Sequence, residues 1–171
     1  MEEEMRVAYA DPPYIGCAKK YPEKKEVDHA DLVNSLCSNY EAWALSLHTP
    51  SLPEILTYCP KDVRIGAWVK PFCSFKPGVG QAYAWEPIIF YGIRKRTRNQ
   101  PTVRDWVMAN ITLERGLTGA KPMKFCFWLF DFMNLDREDE LHDLFPGTGI
   151  VTRAWEIWKT TVRNEQEVMF A

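Results

Sequence analysis

The sequence predicts an α/β protein: one sheet, covered by helices on both faces. Two patterns predict the class. Segments of period-two alternation trade places with segments of helical spacing through the first half, and the last third reads helix, strand, glycine turn, helix. A third observation places the function. Asp11-Pro12-Pro13-Tyr14 and the run Asp143 to Gly149 both close an expected strand, and such sheets gather ligands outside the carboxyl ends of their strands.

The apolar run Met5 to Ala10 is the first strand. Ile15 to Val27 is polar and broken by Pro22, a loop whose Lys19, Lys20, Lys24 and Lys25 read either as phosphate contacts or as a solvated charged surface. Asp28 starts a helix, with Leu32, Val33, Leu36 and Tyr40 on one face. Trp43 to His48 alternates as a strand. Ser51 and Glu54 have capping-box spacing for a short helix carrying Leu52, Ile55 and Leu56. Val63 to Val69 is a further strand, and Lys70 to Ala82, with two prolines and two glycines, is a long loop.

Tyr83 to Tyr91 returns as a strand, where Pro87 argues for a strand end or a sheet edge because it lacks an N–H. Arg94 to Gln100 is the one concentrated basic run. Trp106 to Thr112 is a short strand and Glu114 to Ala120 a glycine-containing loop. Pro122 takes the first position of a helix whose Phe125, Cys126, Leu129, Phe130 and Met133 share a face. A turn at Asp136 to Asp139 leads to a buried strand, Glu140 to Phe145. Pro146 to Gly149 turns into a closing helix with Val151, Ala154, Trp155, Trp158 and Val162, and the tail frays from Asn164.

The bulk numbers bound the function. A chain of 171 residues, 46% hydrophobic and 26% charged, fits one domain with a proper core. A net charge of -2 gives no global pull toward nucleic acid, so any such binding is local. No apolar run approaches the roughly 20 residues that span a bilayer, and the acidic Met-Glu-Glu-Glu start is unlike a secretory signal. Five cysteines without a Cys-x-x-Cys pair read as free thiols of a reducing cytoplasm, not as disulfides or a zinc site. His29, His48 and His142 are scattered and form no catalytic arrangement. The acidic residues from Asp131 to Glu140 read as a solvated turn, and no metal is expected.

At Asp11-Pro12-Pro13-Tyr14, two prolines fix the backbone and remove two donors. A carboxylate and carbonyl oxygens are left to accept hydrogens, with a ring beside them as a platform. That suits a flat group bearing an exocyclic amine; the bland alternative is a proline turn. Asp143-Leu-Phe145-Pro-Gly147-Thr148-Gly149 ends a strand in a Gly-x-Gly turn before a helix, letting a ligand approach the backbone. It lacks the Lys-Ser/Thr ending of a phosphate-binding loop and the third glycine of the dinucleotide fingerprint. A carboxylate there suits an ammonium, such as that of an amino acid zwitterion.

These two motifs in this order resemble those of the N6-adenine methyltransferases that use S-adenosyl-L-methionine, of the beta group. That group includes the mRNA-adenosine methyltransferases and small phage DNA methylases, and it places the catalytic motif before the cofactor motif. Trp68-Val-Lys70, Trp85-Glu86 with Ile88 to Gly92, and Lys121-Pro122 fit the same pattern, so the resemblance spans Val7 to Trp158. It implies a Rossmann-like methyltransferase sheet, circularly permuted and lacking the last cofactor-side strands. It also implies a single domain without a separate target-recognition domain.

The resemblance further implies roles. Asp11 and the Pro12 carbonyl would accept the adenine amine, Pro13 would shape the corner, and Tyr14 would stack on a base taken out of the duplex. Asp143 would hold the cofactor ammonium, Phe145 and the backbone from Gly147 through Thr148 to Gly149 would pack on its methionine part, and Lys121 would meet its carboxylate. Glu86 would lie near the target nucleoside, with Lys70, Arg94, Lys95, Arg96 and Arg98 on the nucleic-acid backbone. The ribose contact, delivered in the family by a strand after the cofactor helix, would have to come from Glu156, Asn164 or elsewhere. The expected activity is adenine-N6 methylation of DNA, ahead of RNA, in the cytoplasm of a bacterium or phage-infected cell. A catalytically silent nucleic-acid-binding module of the same fold is the alternative.

Overall fold

The computed structural model describes residues 3–16, 18–20, 25–71, 78, 80–114 and 117–169; of residues 20, 112–114, 117–120 and 162–169 it describes the backbone alone. Lys24, Cys17, Cys73 and most of the expected loop between Lys70 and Ala82 therefore lie outside the described residues.

Six strands form one sheet: β1 (Arg6–Ala10), β2 (Ala42–Ser46), β3 (Arg64–Val69), β4 (Trp85–Tyr91), β5 (Trp106–Met108) and β8 (Glu140–Asp143), in the order β5-β3-β4-β2-β1-β8. Strand β4 runs antiparallel to β2 and β3, while β1 is parallel to both β2 and β8. The period-two alternation read from the sequence becomes two cores. Ala8, Ala10, Trp43, Leu45 and Ile89 face α1 (His29–Asn39) and α2 (Leu52–Leu56). Val7, Tyr9, Ala42, Ala44, Ile88 and Phe90 face α3 (Met123–Met133) and α4 (Ile150–Met169).

Several elements depart from the sequence expectation for identifiable reasons. Strand β4 is central despite Pro87, which is buried. The Pro87 carbonyl accepts the Leu47 N–H at 3.2 Å, so its imide nitrogen also faces the β2 side. It stands one residue outside the last β2–β4 pair, Ser46 with Ile88, where no ladder donor is needed. Strand β8, expected to be buried, is half-exposed at the sheet edge. The stretch Trp106 to Ala120 divides into β5 and a separate hairpin, β6 (Thr112–Glu114) with β7 (Leu117–Ala120), in place of one strand and a loop.

Asp28 caps α1 by accepting the Asp31 N–H at 3.0 Å, as its sequence position predicts. Ser51 makes no cap bond at α2; its hydroxyl goes to His48 instead. Pro122 is the N-cap of α3, one position before the first helical residue. Trp128 and Phe132 are buried as well as the predicted face, because both rings pack on Phe90 of β4. The α4 backbone stays helical to Met169, past the expected fraying point.

The acidic turn is not solvated throughout. Asp139 is buried and binds the Arg94 guanidinium through both oxygens, at 2.6 and 2.8 Å. The same oxygens accept the N–H groups of Met5 and Asp136. This cluster ties β1, β8 and the segment after β4 together at the amino-terminal end of the parallel strands.

Candidate functional site

The site lies at the opposite end, where β1 and β8 finish side by side. Their parallel register pairs Tyr9 with Asp143, and the Leu144 N–H donates to the Tyr9 carbonyl at 2.9 Å. The corner from Asp11 to Tyr14 and the turn from Asp143 to Gly149 are therefore neighbours, though far apart in sequence. Asp11 also pushes the Asp143 carboxyl upward electrostatically.

Asp11 sits in a buried set of alternating charges. The Lys121 ammonium, between β7 and α3, lies 3.0 Å from Asp11 and 3.3 Å from Glu86 on β4. Glu86 also pairs with Lys70 at the end of β3 and accepts the Tyr14 hydroxyl at 3.0 Å. Burial by itself would lower the lysine pKa, but Asp11, Tyr9 and Glu86 outweigh it and hold Lys121 protonated. For Glu86, the two ammonium groups outweigh burial and keep its carboxyl below the usual range. Burial pushes Asp11 up against the opposing pull of Lys121. The Trp68 ring underlies both lysines, with Nζ atoms 4.9 Å (Lys70) and 5.2 Å (Lys121) from its centroid.

Burial likewise raises Asp143, to a pKa of about 6. One of its oxygens accepts the Phe145 N–H at 3.4 Å; the other is buried with no hydrogen-bond partner among the described residues. Such an oxygen costs stability unless something pairs with it. The turn beyond it uses positive φ at Gly147 (48°) and Gly149 (71°), and a Cβ placed on Gly149 would meet nothing within 4 Å. The carboxylate and the open backbone form a cradle suited to a cation with a chain attached. Thr148 closes the turn through its hydroxyl, which accepts the Ile150 N–H at 3.3 Å as α4 begins.

The sequence-predicted residues divide into two groups. Asp11, Pro12, Pro13, Tyr14, Lys70, Glu86 and Lys121 converge on one corner, with Asp143, Phe145, Gly147, Thr148 and Gly149 beside it. Lys121 thus belongs to the Asp11 corner through its ion pair. Arg94, Lys95, Arg96 and Arg98 are not brought there. They follow the carboxyl end of antiparallel β4 and so lie at the amino-terminal end of the parallel strands. Arg94 is held by Asp139, and Arg96 by the Asp131 and Pro101 carbonyls. His48, which carried no signal of its own in the sequence, stacks flat against Tyr14. Its position as the last residue of the expected strand was the available clue.

This architecture is the mixed α/β methyltransferase fold. Among solved structures it is similar to M1.HpyAVI in complex with SAM, at 13% identity and a TM-score of 0.62, covering 91% of this chain and 79% of that one. It is also similar to M1.HpyAVI in a second crystal structure, at 12% identity and a TM-score of 0.55, covering 91% and 77%. TTHA0409 of Thermus thermophilus, a proposed DNA modification methylase, matches at 17% identity with a TM-score of 0.49, covering 90% and 76%. No protein-family model matches the sequence, and neither does any curated protein.

Proposed function

We propose that this protein is a DNA adenine-N6 methyltransferase that uses S-adenosyl-L-methionine, with the catalytic corner preceding the cofactor turn as in a permuted arrangement. The observation that carries the reading is the register of β1 and β8. It sets a carboxylate able to accept an amine, Asp11, beside a carboxylate oxygen on Asp143 that has no partner among the described residues and can accept an ammonium. The solved structure with SAM bound supports the cofactor class through its shared fold.

Asp143 would hold the cofactor ammonium, with the backbone of 147–149 against the aliphatic part. Bound there, S-adenosylmethionine supplies an electrophilic methyl group on a sulfonium. The chain's own residues then position the acceptor. A base taken out of the stack lies on Tyr14, while Asp11 and the Pro12 carbonyl accept its two amine hydrogens and turn the nitrogen lone pair toward the methyl group. The group held by Asp143 and the 147–149 backbone would supply the methyl group to that nitrogen, its sulfur keeping the electron pair of the S–C bond. One amine proton would pass to Asp11, the carboxylate that already accepts it in a hydrogen bond. Lys121 yields its place on Asp11 to the amine and keeps its contact with Glu86.

Calorimetry with S-adenosylmethionine, followed by methyl transfer to adenine-containing DNA and RNA oligomers, tests this. Binding, with transfer to DNA that Asp11→Ala abolishes, is the expected result. Absence of binding at millimolar cofactor, or full activity in Asp11→Ala, overturns the reading.

A further inference from the structure

We propose that Trp68 is a positioning residue: its ring seats the Lys70 and Lys121 ammonium groups, which together set the direction of the Glu86 and Asp11 carboxylates. Its bearing on catalysis rests on Asp11 being the acceptor of the target amine.

The strand register builds this arrangement. Trp68 on β3 pairs directly with Glu86 on antiparallel β4, so the indole and the carboxylate stand side by side on one face of the sheet. Lys70, two residues on, returns to that face and pairs with one Glu86 oxygen. Lys121 reaches the other oxygen at 3.3 Å and Asp11 at 3.0 Å.

Opposite charge draws both lysines to Glu86 but does not fix where they settle. Each ammonium ends a flexible four-carbon stem, and two cations on one carboxylate repel each other. A buried cation also needs a favourable surface on its remaining sides. The Trp68 ring supplies one to both, its centroid 4.9 Å from Lys70 Nζ and 5.2 Å from Lys121 Nζ. Phe125 gives Lys121 a second, more distant ring at 5.9 Å; Trp68 is the ring common to the two lysines. An indole adds attraction without adding an anion that would compete with Asp11 for Lys121.

The ring is itself held. Trp68 is buried, its Nε1–H donates to the Ala109 carbonyl at 2.8 Å, and Phe125 packs on it with 5.4 Å between centroids. Its position passes through Lys121 to Asp11, whose other titratable neighbours are Glu86, Lys70, Tyr9, Cys126 and Asp143. A displaced Lys121 would let Asp11 turn from the amine and would weaken the pull that opposes the upward shift of its carboxyl.

The test compares Trp68→Phe with Trp68→Leu. Both lose the N–H to Ala109 and shrink the side chain, so a purely structural cost falls on both; only Trp68→Phe keeps a ring face. The readouts, per folded molecule, are kcat and KM for methyl transfer to an adenine-containing DNA oligomer, and the titration of the Asp11 carboxyl by carbon NMR. Trp68→Leu is expected to lower kcat about tenfold, as loss of a desolvated cation–π contact implies, with KM within about twofold. It should also move the Asp11 midpoint upward, whereas Trp68→Phe should stay close to wild type in kcat and midpoint. Tetrafluorotryptophan at position 68 keeps the shape and the N–H while weakening the ring face. It should behave as Trp68→Leu does, and it serves where that variant does not fold.

Equal kcat and equal Asp11 midpoints in the two variants, or a fluorinated protein unchanged from wild type in both, would overturn the proposal. If the wild type transfers no methyl group, the methyltransferase reading falls and the midpoints decide. An upward move in Trp68→Leu but not in Trp68→Phe then sustains the positioning role, and equal midpoints remove it.

Discussion

The Lys121 ammonium sits 3.0 Å from the Asp11 carboxylate across 110 residues of sequence, with Glu86 3.3 Å away on its other side. One buried cation thus ties β1, β4 and the start of α3 together, where the proposed amine acceptor must also stand. Lys121→Met removes that charge and leaves two carboxylates facing each other. The expected loss of stability is about 2–3 kcal/mol in urea unfolding, below the full range for a broken buried pair because Asp11 is partly exposed. Adding Asp11→Asn should recover part of the loss, since the two changes share one pair.

Asp143 gives a pH signature. Its pKa of about 6 in the fold exceeds the roughly 3.9 of an unfolded aspartate. Between those values the folded state binds the extra proton, so this group's contribution makes stability fall as pH rises from about 4 to about 6, with no further change above. Cofactor binding needs the anion and should run the other way, weakening as pH drops below about 6. Asp143→Asn should remove the stability slope and, at neutral pH, the cofactor binding; denaturation and calorimetry across that window check both.

Asp139 and Arg94 predict a purely structural effect. The carboxylate is fully buried and meets four donors, two from Arg94 and the N–H groups of Met5 and Asp136. Asp139→Ala takes a buried carboxylate away from the Arg94 guanidinium and from the Met5 and Asp136 N–H groups, and should cost about 3–5 kcal/mol. Thermal or urea unfolding would show it. Methyl transfer per folded molecule, at the other end of the sheet, should be unchanged.

The basic run should matter little to catalysis. Lys95→Ala with Arg98→Ala is expected to leave the KM for nucleic acid within about twofold, because both follow β4 at the end of the sheet away from Asp11. Lys70→Ala, which releases Glu86 from one of its two cations, should lower activity. Steady-state kinetics on the same oligomer compares them.

Cys126 should resist alkylation in the native protein. Burial pushes its thiol up to about 12, so almost no thiolate exists at neutral pH. Mass spectrometry after iodoacetamide treatment, with and without denaturant, would show labelling only in the unfolded chain.

Local patterns of residues set the alternation of strands and helices, the two faces of the sheet and the two motif-bearing corners. Period and turn chemistry are local, and Val7, Tyr9, Ala42 and Ala44 reach one core for the reason their spacing predicts. What stayed illegible was pairing between distant residues. Pro87 argued locally for a strand end or an edge, yet only the length of β2 beside it decided that a missing N–H was harmless in a central strand. Arg94 lies with Asp139 at the far end of the sheet because the antiparallel course of β4 carries it there. Tertiary structure alone likewise set Lys121 on Asp11, stacked His48 on Tyr14, and left one Asp143 oxygen without a partner among the described residues. Each depends on which strands neighbour one another, a consequence of chain packing that no local pattern encodes.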